Sequence, residues 1–225
     1  EAGLRPVLDE FAAGEPLRPR RVVVISRQLR ERLEVALASQ KALAGVSIYT
    51  LGGISRSAAQ SIINQSHKNA LPPLGGWAIA QSVLREIAPK LGPLRPPGGV
   101  AGWGEAAWET YKDLKEAGLS SDTLRAAASG LPRGAAERLL DLALIAESIN
   151  EQFVTLKLYD ETEVLRLAAE ALETAPPGIP TIFYGFADMN ALQRRLALAA
   201  CRSAPAAFFV PAESGLPACE FAQPF

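Results

Sequence analysis

The chain has 225 residues, 48% of them apolar and 7% aromatic, which is ordinary globular composition with enough apolar surface for one large or two small cores. Its 23 basic and 24 acidic residues give a net charge of −1, which excludes the bulk positive charge of a nucleic-acid coat protein, so any DNA contact has to be local. Cys201 and Cys219 lack metal-ligand spacing and the single histidine, His67, cannot complete a zinc site, which points to a reduced, cytoplasmic protein.

In chain order, Arg21 to Ser26 reads as a β-branched run too continuously apolar for a half-exposed edge, hence a buried parallel strand. Arg27 to Gln40 follows as an amphipathic helix with Leu29, Leu33, Ala36 and Leu37 on one face. Gly45 to Leu51 is a second strand, Gly52-Gly53 a turn, and Ser55 to Asn64 a second helix. From His67 to about Pro132 no strand signal appears, and two Pro-Gly stretches, at 71–76 and 94–99, separate helical pieces at Trp77 to Lys90, Glu105 to Glu116 and Ser121 to Ala128. Arg133 to Leu156 is the longest periodic segment, with a stripe of Leu139, Leu142, Ala143, Ala146, Ile149, Phe153 and Leu156.

Asp160, with Glu163 three residues on, begins another helix in the manner of a capping box, its apolar face running from Val164 to Leu172. Thr181 to Tyr184 is a strand, Asn190 to Arg202 a helix and Ala206 to Val210 a strand. Strand-helix units thus lie on both sides of a helical insert. The expected organisation is an α/β domain over residues 1–66 and 157–225, interrupted by a helical insertion over 67–156. No segment approaches the roughly 20 apolar residues of a membrane span, and the N-terminus has no signal-peptide arrangement. The chain opens with Glu1 and stops at Phe225 soon after a strand-like run, which reads as a piece of a longer protein.

Ile182 to Gln193, Ile-Phe-Tyr-Gly-Phe-Ala-Asp-Met-Asn-Ala-Leu-Gln, resembles the second ATPase motif of superfamily 1 DNA helicases of the UvrD and Rep type, with its acids removed. In active members an apolar strand leads into an Asp-Glu pair that holds Mg²⁺ and aligns the attacking water. Tyr184 and Gly185 stand in those places, while Phe186, Asp188, Asn190 and Gln193 match the family's Phe, Asp, Asn and Gln. A neutral Tyr-Gly pair offers no hard oxygen ligands for a divalent cation, so this segment is not expected to hydrolyse ATP. A strand, a glycine turn and a helix capped by Asp188 or Asn190 would also explain these residues.

The order of elements is similar to the first half of such a helicase, and closer to the AddB-type subunit of bacterial ATP-dependent helicase-nucleases, over about residues 4 to 211. Val24-Ile25-Ser26-Arg27-Gln28-Leu29 looks like the AddB form of the strand end that contacts single-stranded DNA. Ser47-Ile48-Tyr49-Thr50-Leu51 sits where the next strand ends near a threonine, and Tyr159 to Leu165 is similar to the segment opening with Asp ahead of the second motif. In AddB-like chains a Gly-Phe pair commonly replaces the acids, and Gly185-Phe186 has that form. The resemblance implies a RecA-like, P-loop NTPase-like parallel sheet flanked by helices, with an all-helical insertion. A Gly-rich loop ending in Gly-Lys-[Ser/Thr] is absent; its expected place is upstream of Glu1, and the nuclease carboxylates of the family belong beyond Phe225. Val210-Pro211-Ala212-Glu213 does not reproduce the third helicase motif.

By this resemblance the chain is a non-catalytic helicase-like domain of a subunit for double-strand-break processing and recombinational repair. It would bind or guide single-stranded DNA beside a motor helicase-nuclease partner that supplies ATP and Mg²⁺ chemistry. No cofactor is expected in this segment. The candidate DNA contacts are Ser26, Arg27, Gln28, Thr50 and Arg56, whose hydroxyl, amide and guanidinium groups at parallel-strand ends suit backbone contacts. The degenerate ATPase motif comprises Tyr184, Gly185, Asp188 and Gln193. Plain helix capping would explain Ser26 and Ser55 equally, and Gly52-Gly53 reads as a turn. Trp103, Trp108, Tyr111, Lys112 and Lys115 could stack and neutralise a single strand, or Trp108 and Tyr111 could form the insert's core. His67 reads as a loop residue and Phe208-Phe209 as core. Two further readings stay open: an ATP-binding helicase domain whose phosphate loop lies upstream, and an α/β scaffold that binds only protein.

Overall fold

The computed structural model describes residues 3–39 and 44–210; expectations for Gln40, Glu213 and Cys219 lie outside them. Described residues form two compact units, one N-terminal of Ile63 together with the chain from Val164 onward, the other Ile63–Glu163.

The first unit is built on a parallel sheet. Its strands are β1 (Arg20–Val24), β2 (Val46–Thr50), β5 (Thr181–Tyr184) and β6 (Ala206–Phe209), in the order β2-β1-β5-β6. Register is fixed by Val24 opposite both Thr50 and Tyr184, and by Tyr184 opposite Phe209. β1 is buried at all five positions, as a strand covered on both faces must be. Alternation sends Val22, Val24 and Ile182 into one cluster with Leu4, Leu8 and Phe11 of α1 (Leu4–Ala12) and Leu33 and Leu37 of α2 (Arg27–Ser39). Val23, Thr181 and Phe183 point the other way and are equally buried. The crossover β1-α2-β2 runs towards one edge, whereas β5 reaches β6 through α9 (Ala191–Ala200) towards the other. Right-handed crossovers of opposite sense place α2 and α9 on opposite faces. The fold is therefore α/β, a parallel sheet flanked by helices, consistent with a RecA-like arrangement.

The strand expected to reach Ser26 ends at Val24, and Ile25 is 56% exposed. Val24 is the last residue with partners on both sides, since β2 and β5 end opposite it. The Arg20 guanidinium, 5% exposed, donates to the carbonyls of Leu8 (2.9 Å), Pro16 (2.6 Å) and Arg18 (3.2 Å) and also to that of Ala44. A buried charge is tolerated when its donors are filled in this way. One correction concerns Gly52-Gly53: they are not a turn but the first turn of α3 (Leu51–Ser66), started by Thr50, whose Oγ1 accepts from Gly53 N at 3.1 Å.

The second unit comprises α4 (Gly75–Ile87), which continues as a 3₁₀ turn over Ala88–Lys90, with α5 (Trp103–Glu116), α6 (Ser121–Ala128) and α7 (Arg133–Thr155). It is not entirely helical: β3 (Asn69–Ala70) pairs in parallel with β4 (Leu158–Tyr159). Two residues per strand leave no alternation to detect. The core gathers Ala80, Val83, Leu84, Ile87, Tyr111, Ile145, Ile149 and Phe153. Leu156, placed in the stripe by periodicity, caps the end of α7 and is exposed, while Ile145 takes a core position. Asp141, 7% exposed, accepts from the amides of Gly92 (3.1 Å) and Leu94 (2.9 Å). It thereby fastens the loop after the 3₁₀ turn to α7. α8 (Glu161–Thr174) starts at Asp160, whose Oδ1 accepts from Glu163 N at 2.7 Å. No helix of the described residues is long and apolar enough to cross a membrane.

Candidate functional site

The carboxyl ends of β2, β1, β5 and β6 form one edge of the sheet, because Thr50, Val24, Tyr184 and Phe209 are mutual register partners. Sequence-predicted Ser26, Arg27, Gln28, Thr50, Tyr184 and Gly185 all lie at this edge or within four residues of it. The chain order reverses between β1 and β5, and open α/β sheets place their ligands at the carboxyl side of such a reversal.

Ser26 Oγ accepts from Leu29 N at 3.2 Å and starts α2, as Thr50 starts α3. Both hydroxyls are thus helix caps, but accepting a bond leaves each O–H proton free to donate outward, so capping and ligand contact are compatible. Arg27 is held by Glu31 through Nε at 2.8 Å, with side chains 82% and 54% exposed. An exposed i,i+4 pair of this kind is worth about 0.3–0.5 kcal/mol, so a phosphate can compete for the guanidinium. Gln28 and Arg56 are exposed.

Gly185 has φ 86°, and a Cβ there would lie 3.0 Å from Leu29 Cδ2 and 3.8 Å from Ile25 Cγ2. Glycine is demanded by the backbone and by the approach of the α2 side. Its amide donates to Phe209 O at 2.9 Å. Tyr184 packs its ring against Phe209, centroids 5.7 Å apart. Neither residue offers an oxygen suited to a divalent cation, and among the described residues no group of three or more His, Cys, Asp or Glu is placed to hold one. Asp188 turns its Oδ1 to Met189 N at 2.7 Å. Asn190, not Asp188, caps α9, in a capping box with Gln193.

Elsewhere Trp108 and Tyr111 of α5 pack into the core of the second unit. Trp108 stacks on Phe153 (5.7 Å, 7° between planes) and lies 5.6 Å from Tyr111. Its other near neighbour is Gly76, where a Cβ would fall 2.2 Å from the indole. Lys115 lies 5.3 Å from the Tyr111 ring and pairs with Asp160 at 3.0 Å; Lys112 pairs with Glu109 at 2.7 Å. Burial, then the charges of Asp160 and Glu163, push the Tyr111 hydroxyl well above its ordinary range, so it stays neutral. Trp103 is 38% exposed at an apolar cavity of about 160 Å³ that it shares with Leu94, Leu114, Leu142 and Ile145. That lining has no cation for a phosphate. Phe208 lies against Phe183 at 4.9 Å with its other side exposed, and His67 occupies a left-handed turn at φ 51°.

Sequence reasoning missed Asp141 and the basic row formed by Arg194 on α9 and Arg202 in the turn that follows it. The latter had a readable signal, the i, i+8 spacing with Leu198 between. No protein-family model matches the chain, and no curated protein matches it.

Proposed function

We propose that this chain is a non-catalytic, helicase-like domain of an AddB-type helicase-nuclease subunit, guiding single-stranded DNA during double-strand-break processing. The observation that supports the reading best is the convergence of Ser26, Arg27, Gln28 and Thr50 on the carboxyl edge of a parallel sheet, beside a motif turn of Tyr184 and Gly185. In this reading the hydroxyls and Gln28 donate to phosphate or sugar oxygens, Arg27 exchanges Glu31 for a phosphate, and Arg56 adds a second cation. The site grips a backbone without reading sequence. ATP and Mg²⁺ chemistry then belongs to a partner motor subunit or to the intact parent chain.

Filter binding of an oligo-dT strand over a salt series tests the proposal. Affinity should fall linearly on a log–log plot with salt, by roughly 0.7 per phosphate neutralised. Arg27→Ala and Gln28→Ala are the informative variants, because both side chains are exposed and neither caps a helix. Absence of binding at low salt would sink it.

A further inference from the structure

One surface of the first unit uses none of the residues at the carboxyl edge. Arg194, Leu198 and Arg202 are spaced four residues apart, Arg194 and Leu198 on α9 and Arg202 in the turn that continues it. All three are exposed, Leu198 by 63%. They border an open cavity of about 310 Å³ together with Arg195, Glu173 and Ala191.

The charges of this face do not balance. Glu173 is taken by Arg195 in a two-pronged pair, Nε to Oε1 at 2.8 Å and Nη2 to Oε2 at 2.7 Å, and that bond holds the Glu173 carboxyl below its usual range. Glu170 is taken by Arg166 at 2.6 Å. Arg202 donates to the backbone carbonyl of Glu173 at 3.4 Å, and its charge also acts on the Glu173 carboxyl, so that single acid is shared by two arginines. Arg194 has no side-chain hydrogen bond or ion pair among the described residues. Three guanidinium groups, those of Arg194, Arg195 and Arg202, therefore share one carboxylate, Glu173, and two positive charges remain in excess around the exposed leucine.

A row at spacing four is the ridge that fits a groove between side chains of another helix. A DNA backbone would match the two arginines but leave Leu198 with no apolar partner, whereas a helix with acid, leucine and acid at the same spacing satisfies all three positions. We infer that the Arg194–Leu198–Arg202 row is a docking face for an acidic amphipathic helix of a partner protein. Arg195, fixed by Glu173, forms its wall.

The probe is a fluorescein-labelled, alanine-based 20-residue helical peptide with Glu, Leu and Glu at positions i, i+4 and i+8, followed by anisotropy at fixed ionic strength. Wild type should bind it, and the double variant Arg194→Glu, Arg202→Glu should bind at least tenfold more weakly. The same variant should gain affinity for a peptide with Lys at both Glu positions. Both substitutions are on exposed side chains, and an unchanged thermal midpoint checks the fold. Equal binding of the Glu and Lys peptides by wild type, or no binding of either, overturns the inference. So does a variant that keeps the Glu peptide but loses oligo-dT, which would give the row to nucleic acid. The DNA reading is tested separately by Arg27→Ala, which should leave peptide binding unchanged.

Discussion

Asn190 and Gln193 cap one another: Gln193 N donates to Asn190 Oδ1 at 2.8 Å, and Asn190 N donates to Gln193 Oε1 at 3.2 Å. Two of the four residues that keep the helicase-like spacing after the strand are thus explained by the start of α9 itself. Asn190→Ala should destabilise the protein by about 1 kcal/mol, read as a lower urea midpoint at unchanged slope, and Asn190→Ser or Asn190→Asp should restore most of it.

Gly185→Ala should cost about 2 kcal/mol, the sum of a left-handed φ and a methyl forced against Leu29. Leu29→Ala removes the contact but not the φ penalty, so it should relieve part of the loss in the double variant. A double-mutant cycle with no coupling between the two positions would show that the side-chain approach is unimportant.

Asp141→Ala strips the acceptor from two backbone amides, those of Gly92 and Leu94. Both bonds are part-buried and go to a charged acceptor, so their loss should cost about 2 kcal/mol. Asp141→Asn, which keeps one acceptor oxygen, should lose less, and hydrogen exchange should show the 92–95 loop opening first.

How far the sequence reveals the fold varies with the length of each element. The strands at Val22, Ile182 and Phe183 were legible because fully covered strands must be apolar on both faces, and α7 because 23 residues give a clear period. The β3–β4 pairing was not, since two residues such as Asn69 and Ala70 have no pattern. Gly52-Gly53 misled because glycine is costly inside a helix, yet the Thr50 cap starts α3 ahead of them. At the site, Ser26 and Thr50 were legible as residues at strand ends, and capping was an open alternative for Ser26; for α3 it was read onto Ser55, which instead lies inside the helix and donates to Leu51 O. The pairing of Arg27 with Glu31 was readable from its i, i+4 spacing and went unread, whereas the approach of Leu29 that demands glycine at 185 depends on side-chain packing, which spacing does not encode.

Lys115→Ala should act on stability rather than on DNA affinity. It leaves Asp160, 9% exposed, without its cation, and it removes the cation above Tyr111. The expected loss is about 3 kcal/mol, with oligo-dT affinity of the folded variant unchanged. Lys115→Arg should recover much of it.

Burial pushes the Cys201 thiol up to about 11, although the charge of Arg21 pulls the other way. A raised thiol pKa favours the neutral form in the folded state. Its contribution is therefore complete below the ordinary value of 9.0 and is lost as pH rises from 9 towards 11. In a Cys219→Ser background the thermal midpoint should fall more steeply across that window than in the same background with Cys201→Ala.

Guidance of single-stranded DNA by the carboxyl edge is tested most directly by the salt dependence of oligo-dT binding by wild type and Arg27→Ala. Measurable binding is expected at low salt, with the log–log slope of Arg27→Ala shallower by nearly one counterion's worth, about 0.7. Equal slopes and equal affinities for the two proteins would contradict it.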